Sequence, residues 1–480
     1  MNHKMILYIL GYIMKVEAAL MCLPLVVALL YRESSFLSFV ITIALLLVLG
    51  TAASFKKPKN TVIYAREGFV IVALAWILLS VFGALPFVFS RSIPNFVDAF
   101  FETVSGFTTT GSTLLTDIEA LPNGMLFWRS FTHWIGGMGV LVFVLAIVPL
   151  AEGRSMHLMR AEVPGPTVGK LVPRTKSTAM ILYGIYIVLT IIEVIFLLFG
   201  GMSLFDSLIH AFSTAGTGGF SNRNSSVAYY NSAYIEGVIT VFMILFGINF
   251  NLFYYILIRK ASLAFKNEEL HWYLGIIAVS IAIITFDIFP EYQSVGVSFR
   301  YASFQVASII TTTGFATTDY NLWPELSKSI IFVLTFLGAC AGSTGGGLKT
   351  SRLILILKSI AKEIRHMLHP RSVTTIRLNG KSVDGQVLHG VSSYFMVYMV
   401  ITFISFLLIS VDELDFETTL TAVVTCINNV GPGLGLIGPV NNFSIFTPFS
   451  KLVLSLDMLI GRLEIFPIIM LFMPSLWKKK

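Results

Sequence analysis

The sequence predicts an all-α polytopic membrane protein, and three observations carry that prediction. Only 12% of its 480 residues are Asp, Glu, Lys or Arg, about half the share of roughly 25% found in soluble domains. Ten apolar stretches are each long enough to cross the roughly 30 Å of bilayer hydrocarbon, one of them with an interruption. Between them recur four short segments rich in Thr, Ser and Gly. Mean hydropathy is +0.81, which leaves too little polar surface to coat a soluble fold.

The apolar stretches lie near 5–30, 37–54, 69–90, 124–150, 178–200, 233–258, 272–289, 326–369, 388–410 and 450–473. Lys15 and Glu17 interrupt the first, and no small-residue cleavage site follows, so it is expected to stay as a membrane helix. Lys and Arg collect on alternate loops, around 56–66, 154–176, 259–266, 349–381 and 478–480. With Lys4, those loops hold 24 of the 33 basic residues, which predicts both termini on the cytoplasmic side. The net charge of +7 follows from that topology, and nucleic acid is not needed to explain it. Cys22, Cys340 and Cys426 are far apart, and the eight histidines show no zinc spacing.

The loops on the opposite side hold the four recurring segments. They are Ser105–Ser112, Ser213–Phe220, Thr311–Thr317 and Asn428–Gly435. Each follows an apolar stretch too short to span, near 96–107, 203–213, 299–310 and 416–427. Aligned on Gly111, Gly216, Gly314 and Gly431, the segments are 105, 98 and 117 residues apart. This is an internal fourfold repeat of span, half-helix, Gly turn and span. Irregular backbone survives in a membrane only when buried in protein or lining an aqueous cavity. Four such turns around one axis would offer an ion rings of carbonyl oxygens in place of its hydration shell. The C-terminal ends of the half-helices add partial negative charge that favours cations. Asp98, Glu102, Asp206, Asp319, Asp412, Glu413 and Glu417 either add to that field or cap helices.

At these residues the sequence resembles the bacterial Trk/Ktr potassium-transport superfamily, most closely its TrkH/TrkG branch. The loop Met159–Pro166 carries the same resemblance. It implies two leading membrane helices in 1–60 and four pore repeats at 61–165, 166–265, 266–385 and 386–480, the third with an interrupted gating helix. It also implies a potassium filter formed by Thr109, Thr110 and Gly111, by Thr214, Ala215 and Gly216, by Thr312, Thr313 and Gly314, and by Asn429, Val430 and Gly431. In the second repeat Gly218 or Gly219 is an open alternative for the filter glycine. None of the four has the Thr-Val-Gly-Tyr-Gly run of potassium channels, so looser selectivity is expected.

Residues 338–347 are dominated by Gly, Ala, Ser and Thr, and a helix is not expected to continue through them. The resemblance makes Gly342, Ser343, Thr344, Gly345, Gly346, Gly347 and Lys349 a gate below the filter, the alternative being a hinge or packing site. Arg462 interrupts the last span, where a charge costs at least about 2.5–3.5 kcal/mol. It is read either as a pore-facing charge touching that gate, as the resemblance implies, or as an ion-pair partner of Asp457 or Glu464. His133, Trp134 and Arg129 are expected to pack near the outer end of the fourth span. Asn249 and Asn251 are expected to hydrogen-bond between helices.

Around Lys349 the chain superficially resembles a phosphate loop, but Leu348 separates Gly347 from Lys349 and no strand precedes. No convergent acid/base or metal cluster suggests an enzyme. The expected function is potassium uptake through a channel-like subunit in the bacterial inner membrane. The alternative is a cation symporter coupled to H⁺ or Na⁺. K⁺ is the expected cargo, with no covalently bound cofactor. The resemblance further implies a homodimer with a pore in each subunit and a cytosolic TrkA-like nucleotide-binding partner.

Overall fold

The computed structural model describes residues 1–60, 62–139, 175–372 and 374–474. The Met159–Pro166 loop, Arg154, Arg160, Lys170, Arg174 and the Lys478–Lys480 tail fall outside the described residues. The described chain is mostly helical. Its only sheets among those residues are two-residue pairings: Leu337–Gly338 parallel with Leu348–Lys349, and Arg377–Leu378 antiparallel with Lys381–Ser382.

Six helices are long and apolar enough to cross a membrane among the described residues: His3–Leu30, Phe36–Ser54, Ala65–Phe89, Ala179–Phe199, Glu268–Asp287 and Gly385–Asp412. Their outer faces carry large apolar side chains, such as Leu30, Phe199 and Phe286, each more than three-quarters exposed. Thr108–Thr110, Thr311–Thr313, Asn428 and Asn429 are instead fully buried at the centre. Apolar outside and polar inside is the arrangement a lipid solvent selects.

Two stretches that the sequence presents as continuous are broken. The stretch 233–258 forms Ala233–Phe246 and Phe250–Leu257, bent by 92°. Asn249 causes the second start: its Oδ1 accepts from the Asn251 amide at 2.9 Å, so these residues cap a helix end. The stretch 450–473 forms Pro448–Arg462 and Phe466–Leu471, parted where Glu464 and Ile465 take φ of 56° and 69°. A β-branched residue at positive φ is strained, so surrounding contacts must hold that corner. The interruption in 326–369 is present as expected, between Glu325–Phe336 and Thr350–Leu368.

Four shorter helices complete the core: Phe96–Phe107, Leu204–Gly216, Val295–Ile310 and Phe416–Asn428. At 1.5 Å per residue they reach about 18–24 Å, too short to span. Asn95, Ser203 and Asp415 cap three of them with side-chain oxygens, while Ser294 supplies no side-chain cap. Three end at the Thr/Gly segments and the fourth at the Asn/Gly segment Asn428–Gly435.

Candidate functional site

Each short helix ends in the same backbone conformation. Thr109, Thr217, Thr312 and Asn429 are left-handed, with φ of 55°, 56°, 59° and 56°. Two residues on, Gly111, Gly219, Gly314 and Gly431 have φ of 82°, 76°, 83° and 98°. The hydrogen bonds repeat as well. The left-handed residue's amide donates three residues back, from Thr109 to Gly106, Thr217 to Thr214, Thr312 to Ile309 and Asn429 to Cys426. The next amide donates five back, from Thr110 to Ser105, Gly218 to Ser213, Thr313 to Ser308 and Val430 to Thr425. This double closure ends a helix and turns the chain sharply away from it.

The second segment therefore sits three residues later than its expected register. Thr214, Ala215 and Gly216 form the last turn of their helix, while Thr217, Gly218 and Gly219 match the other three turns. Three nearby glycines left the alignment open in the sequence, and only the hydrogen-bond pattern selects among them. Gly216 and Gly218 have a separate reason to lack side chains. A Cβ on Gly216 would lie 2.3 Å from the His133 carbonyl oxygen, and one on Gly218 would lie 2.4 Å from the His133 ring. That imidazole packs on Phe220 and places Nδ1 2.7 Å from the Gly106 carbonyl oxygen.

The turns touch one another in a closed order. A Cβ on Gly111 would lie 2.0 Å from the Gly218 oxygen, and one on Gly219 would lie 2.1 Å from the Thr313 oxygen. A Cβ on Gly314 would meet the Val430 oxygen at 2.2 Å, and one on Gly431 the Thr110 oxygen at 2.7 Å. First meets second, second third, third fourth and fourth first. Only glycine accepts both the positive φ and this approach. Hydroxyls brace the ring, with Thr108 to Thr110 and Thr311 to Thr313 each at 2.8 Å. Asn429 Nδ2 donates to Thr110 Oγ1 at 2.9 Å and so ties the fourth turn to the first. A cavity of about 130 Å³ opens on the glycines and the residues after them.

The acidic residues expected to add to the field are mostly engaged. Glu102 pairs with Arg129 at 2.6 Å, both buried, and Asp98 with Lys451 at 2.7 Å. Asp206 accepts from Asn222 at 2.6 Å. Asp319 caps the Asn321 amide at 3.0 Å, and Asp412 accepts from the Thr447 hydroxyl at 2.7 Å.

The break at 337–349 meets the turns on their helix side. A Cβ on Gly345 would lie 3.1 Å from the Thr311 carbonyl oxygen, and one on Gly346 would lie 2.5 Å from that of Asn428. The Gly346 amide donates to Thr312 Oγ1 at 2.7 Å. Lys349, fully buried, donates to the Gly345 carbonyl. Arg462 donates to the Thr344 carbonyl at 2.8 Å, and also to the carbonyls of Gly136 and Gly137. Arg462 thus touches the loop, while Asp457 accepts from Ser405 and Glu464 pairs with Arg352.

A sequence model of the TrkH family, described as cation transport proteins, matches residues 36–274 and 272–479. The chain belongs to the TrkH family. It is 37% identical to the Trk system potassium uptake protein TrkH of Salmonella typhimurium, over the full length of both. It is 35% identical to the Trk system potassium uptake protein TrkG of Escherichia coli K12, over 99% of each. The crystal structure of the potassium transporter TrkH from Vibrio parahaemolyticus matches with a TM-score of 0.90 at 33% identity, each chain wholly covered.

In this TrkH-family chain Glu269 also holds the loop, although no motif in the sequence marks it. Its Oε1 accepts from the Ala341 amide at 2.7 Å and from the Ser351 amide at 3.0 Å, one on each side of the loop. An acid at the start of an apolar run was the available signal, but its partners lie more than 70 residues away. Arg129 was expected only to pack near an outer helix end. Besides pairing with Glu102 it donates to the Ser221 carbonyl at 2.9 Å, so it joins the first short helix to the second segment.

Proposed function

We propose that this chain is the ion-translocating subunit of a Trk-type potassium uptake system in the bacterial inner membrane. The observation that carries this reading is the closed ring of four turns, each with the same pair of left-handed residues and each seating its glycine against the next turn's carbonyl. In this reading ten spans and four repeats, at 61–165, 166–265, 266–385 and 386–480, surround one pore behind the two helices of 1–60. Carbonyls of the left-handed residue and its successor face a dehydrated K⁺: Thr109 and Thr110, Thr217 and Gly218, Thr312 and Thr313, Asn429 and Val430. Four helix C-termini point partial negative charge at the same place.

Below the ring, Gly342–Gly347 and Lys349 obstruct the path, and the fixed charge of Arg462 opposes a cation there. Conduction requires that loop to move aside. Both termini and the basic loops are cytoplasmic, where a TrkA-like nucleotide-binding partner regulates how often the loop moves aside without being needed for the movement, and two copies of the chain form a dimer with separate pores. The relatives' names as potassium uptake proteins support the cargo.

The test is ⁸⁶Rb⁺ uptake into liposomes holding only the purified chain. Uptake outcompeted better by K⁺ than by Na⁺ is expected, with no need for a proton or sodium gradient. A second reading, symport with H⁺ or Na⁺, has its own support in the broken stretches 233–258, 326–369 and 450–473 and in the buried Glu193. Uptake that appears only with an imposed gradient would favour it.

A further inference from the structure

The helix Thr350–Leu368 begins next to Lys349 and runs out of the protein body, every residue from Ile360 onward being exposed. Its exposed part has two faces. Leu357, Ile360, Ile364 and Leu368 recur at helical spacing along one side, with Met367 beside them. Lys358, Lys362 and Arg365 lie along the adjoining side. A helix of this pattern lies in the bilayer interface, with apolar residues in the acyl boundary and cations among the headgroups.

On the basic side there is a built groove of about 280 Å³. Its walls are Lys358, Lys362 and Arg365 on the helix, with Thr374, Thr375 and Arg377 on the chain that returns beside it. The returning chain is fixed in place. Ile376 is buried with Leu355 and Val391, and Lys358 Nζ donates to the Arg377 carbonyl at 2.7 Å. Asn379 Oδ1 accepts from the Glu268 amide at 2.7 Å, and Glu268 pairs with Lys358 at 2.5 Å. Glu268 therefore neutralises one of the four cations. The side chains of Lys362, Arg365 and Arg377 have no hydrogen bond or ion pair among the described residues. Three uncompensated cations and two threonines around one groove suit a phosphate group. The apolar strip beside them supplies what a free phosphate would not use.

We propose that this groove binds the phosphate headgroup of an anionic phospholipid, whose acyl chains lie along Ile360, Ile364 and Met367. Because the helix starts at the residue after Lys349, an occupied groove holds the far end of the segment that obstructs the pore. That link to the loop rests on the function proposed above, whereas the binding itself does not.

The test is native mass spectrometry of the purified full chain in detergent, with phosphatidylglycerol or phosphatidylcholine added. The expected result is preferential retention of phosphatidylglycerol, lost by about a hundredfold in Lys362→Gln/Arg365→Gln/Arg377→Gln, since each cation near an anionic headgroup contributes about fivefold. These side chains are at the surface, and an unchanged gel-filtration profile checks that the variant folds. Ile360→Ser/Met367→Ser separates the sources of phosphate: it weakens phosphatidylglycerol binding if a lipid is bound. Displacement by inorganic phosphate, with that variant unaffected, would overturn the lipid assignment. So would equal retention of both lipids. Unchanged phosphatidylglycerol retention in the triple variant, with loss of binding to a cytosolic protein subunit, would make the groove a protein-docking face and also overturn it. ⁸⁶Rb⁺ uptake in the two lipids is a separate measurement, so a chain that binds phosphatidylglycerol without conducting would count against the transport reading only.

Discussion

The ring of turns and the loop against its helix side are both irregular backbone buried in the same protein core, yet they are built in opposite ways. The ring repeats one backbone pattern four times, with two positive-φ residues and two amide closures per copy, and side-chain hydroxyls and Asn429 only brace it. The loop exists once and, beside its backbone bonds to the chain around Phe246–Phe250, depends on side chains: Glu269 on two of its flanking amides, and Arg462 and Lys349 on its carbonyls. A structure fixed by mutual backbone contact has no inexpensive alternative. One held by a few charge-assisted hydrogen bonds can be released when those bonds are exchanged.

The largest effect should come from breaking the ring. Gly314→Ala places a Cβ about 2.2 Å from the Val430 carbonyl oxygen at φ of 83°. Left-handed strain alone costs about 1–2 kcal/mol, and the overlap adds to it. ⁸⁶Rb⁺ uptake should fall at least about tenfold, the equivalent of roughly 1.4 kcal/mol in the barrier. Gly111→Ala should behave alike, and normal uptake in either would sink the filter assignment. A Rb⁺-soaked crystal would sharpen the comparison, because anomalous signal beside the Gly218 oxygen is expected and signal beside the Ala215 oxygen would place the second filter at Thr214–Gly216 instead.

Releasing the loop should act in the other direction. Arg462→Ala removes its bonds to the Thr344, Gly136 and Gly137 carbonyls and one fixed positive charge. Uptake should rise about tenfold if a charged hydrogen bond of roughly 1.5–3 kcal/mol holds the obstruction. Unchanged uptake with a lowered melting temperature would make the residue a structural tie. Glu269→Gln keeps an acceptor oxygen but loses the charge, so a smaller rise of about two- to fivefold is expected, worth roughly 0.5–1 kcal/mol. A fall in uptake would mean that Glu269 holds the open state instead.

What could be read from sequence follows the same division. The four short helices stand within four residues of their expected positions at every end, because a half-helix, a Thr/Gly turn and flanking apolar runs are all local patterns. The turn register in the second copy was not local. It depends on which amide closes onto Ser213 and Thr214, and on His133 from another helix filling the space beside Gly216 and Gly218. The ties on the loop were harder still. Glu269 and Ala341, or Arg462 and Gly136, are brought together only by folding, and no spacing in the chain marks the pairs. The bend at Asn249 had a signal, an Asn two residues after Gly247, that reads equally as a helix N-cap or as an interhelical donor.

The smallest expected effect probes how equivalent the four copies are at their other ends. Asp415 accepts from the Thr418 amide at 2.8 Å and the Thr418 hydroxyl at 2.6 Å, and these bonds hold its carboxyl below the usual carboxylate range. A depressed folded-state pKa stabilises the protein above the ordinary value and loses that contribution as pH falls through the folded one. Asp415→Ala should therefore lower the melting temperature at neutral pH, by the equivalent of about 0.5–2 kcal/mol for a lost cap, with the gap to wild type narrowing in acid. Ser294→Asp is the converse experiment on the one short helix without a side-chain cap, and it should raise the melting temperature by a similar or smaller amount. If both changes shift stability while leaving ⁸⁶Rb⁺ selectivity alone, the helix starts serve only to hold the helices. If Asp415→Ala alters the K⁺ over Na⁺ preference, the ring is not fixed by its own contacts, and its separation from the helices that carry it fails.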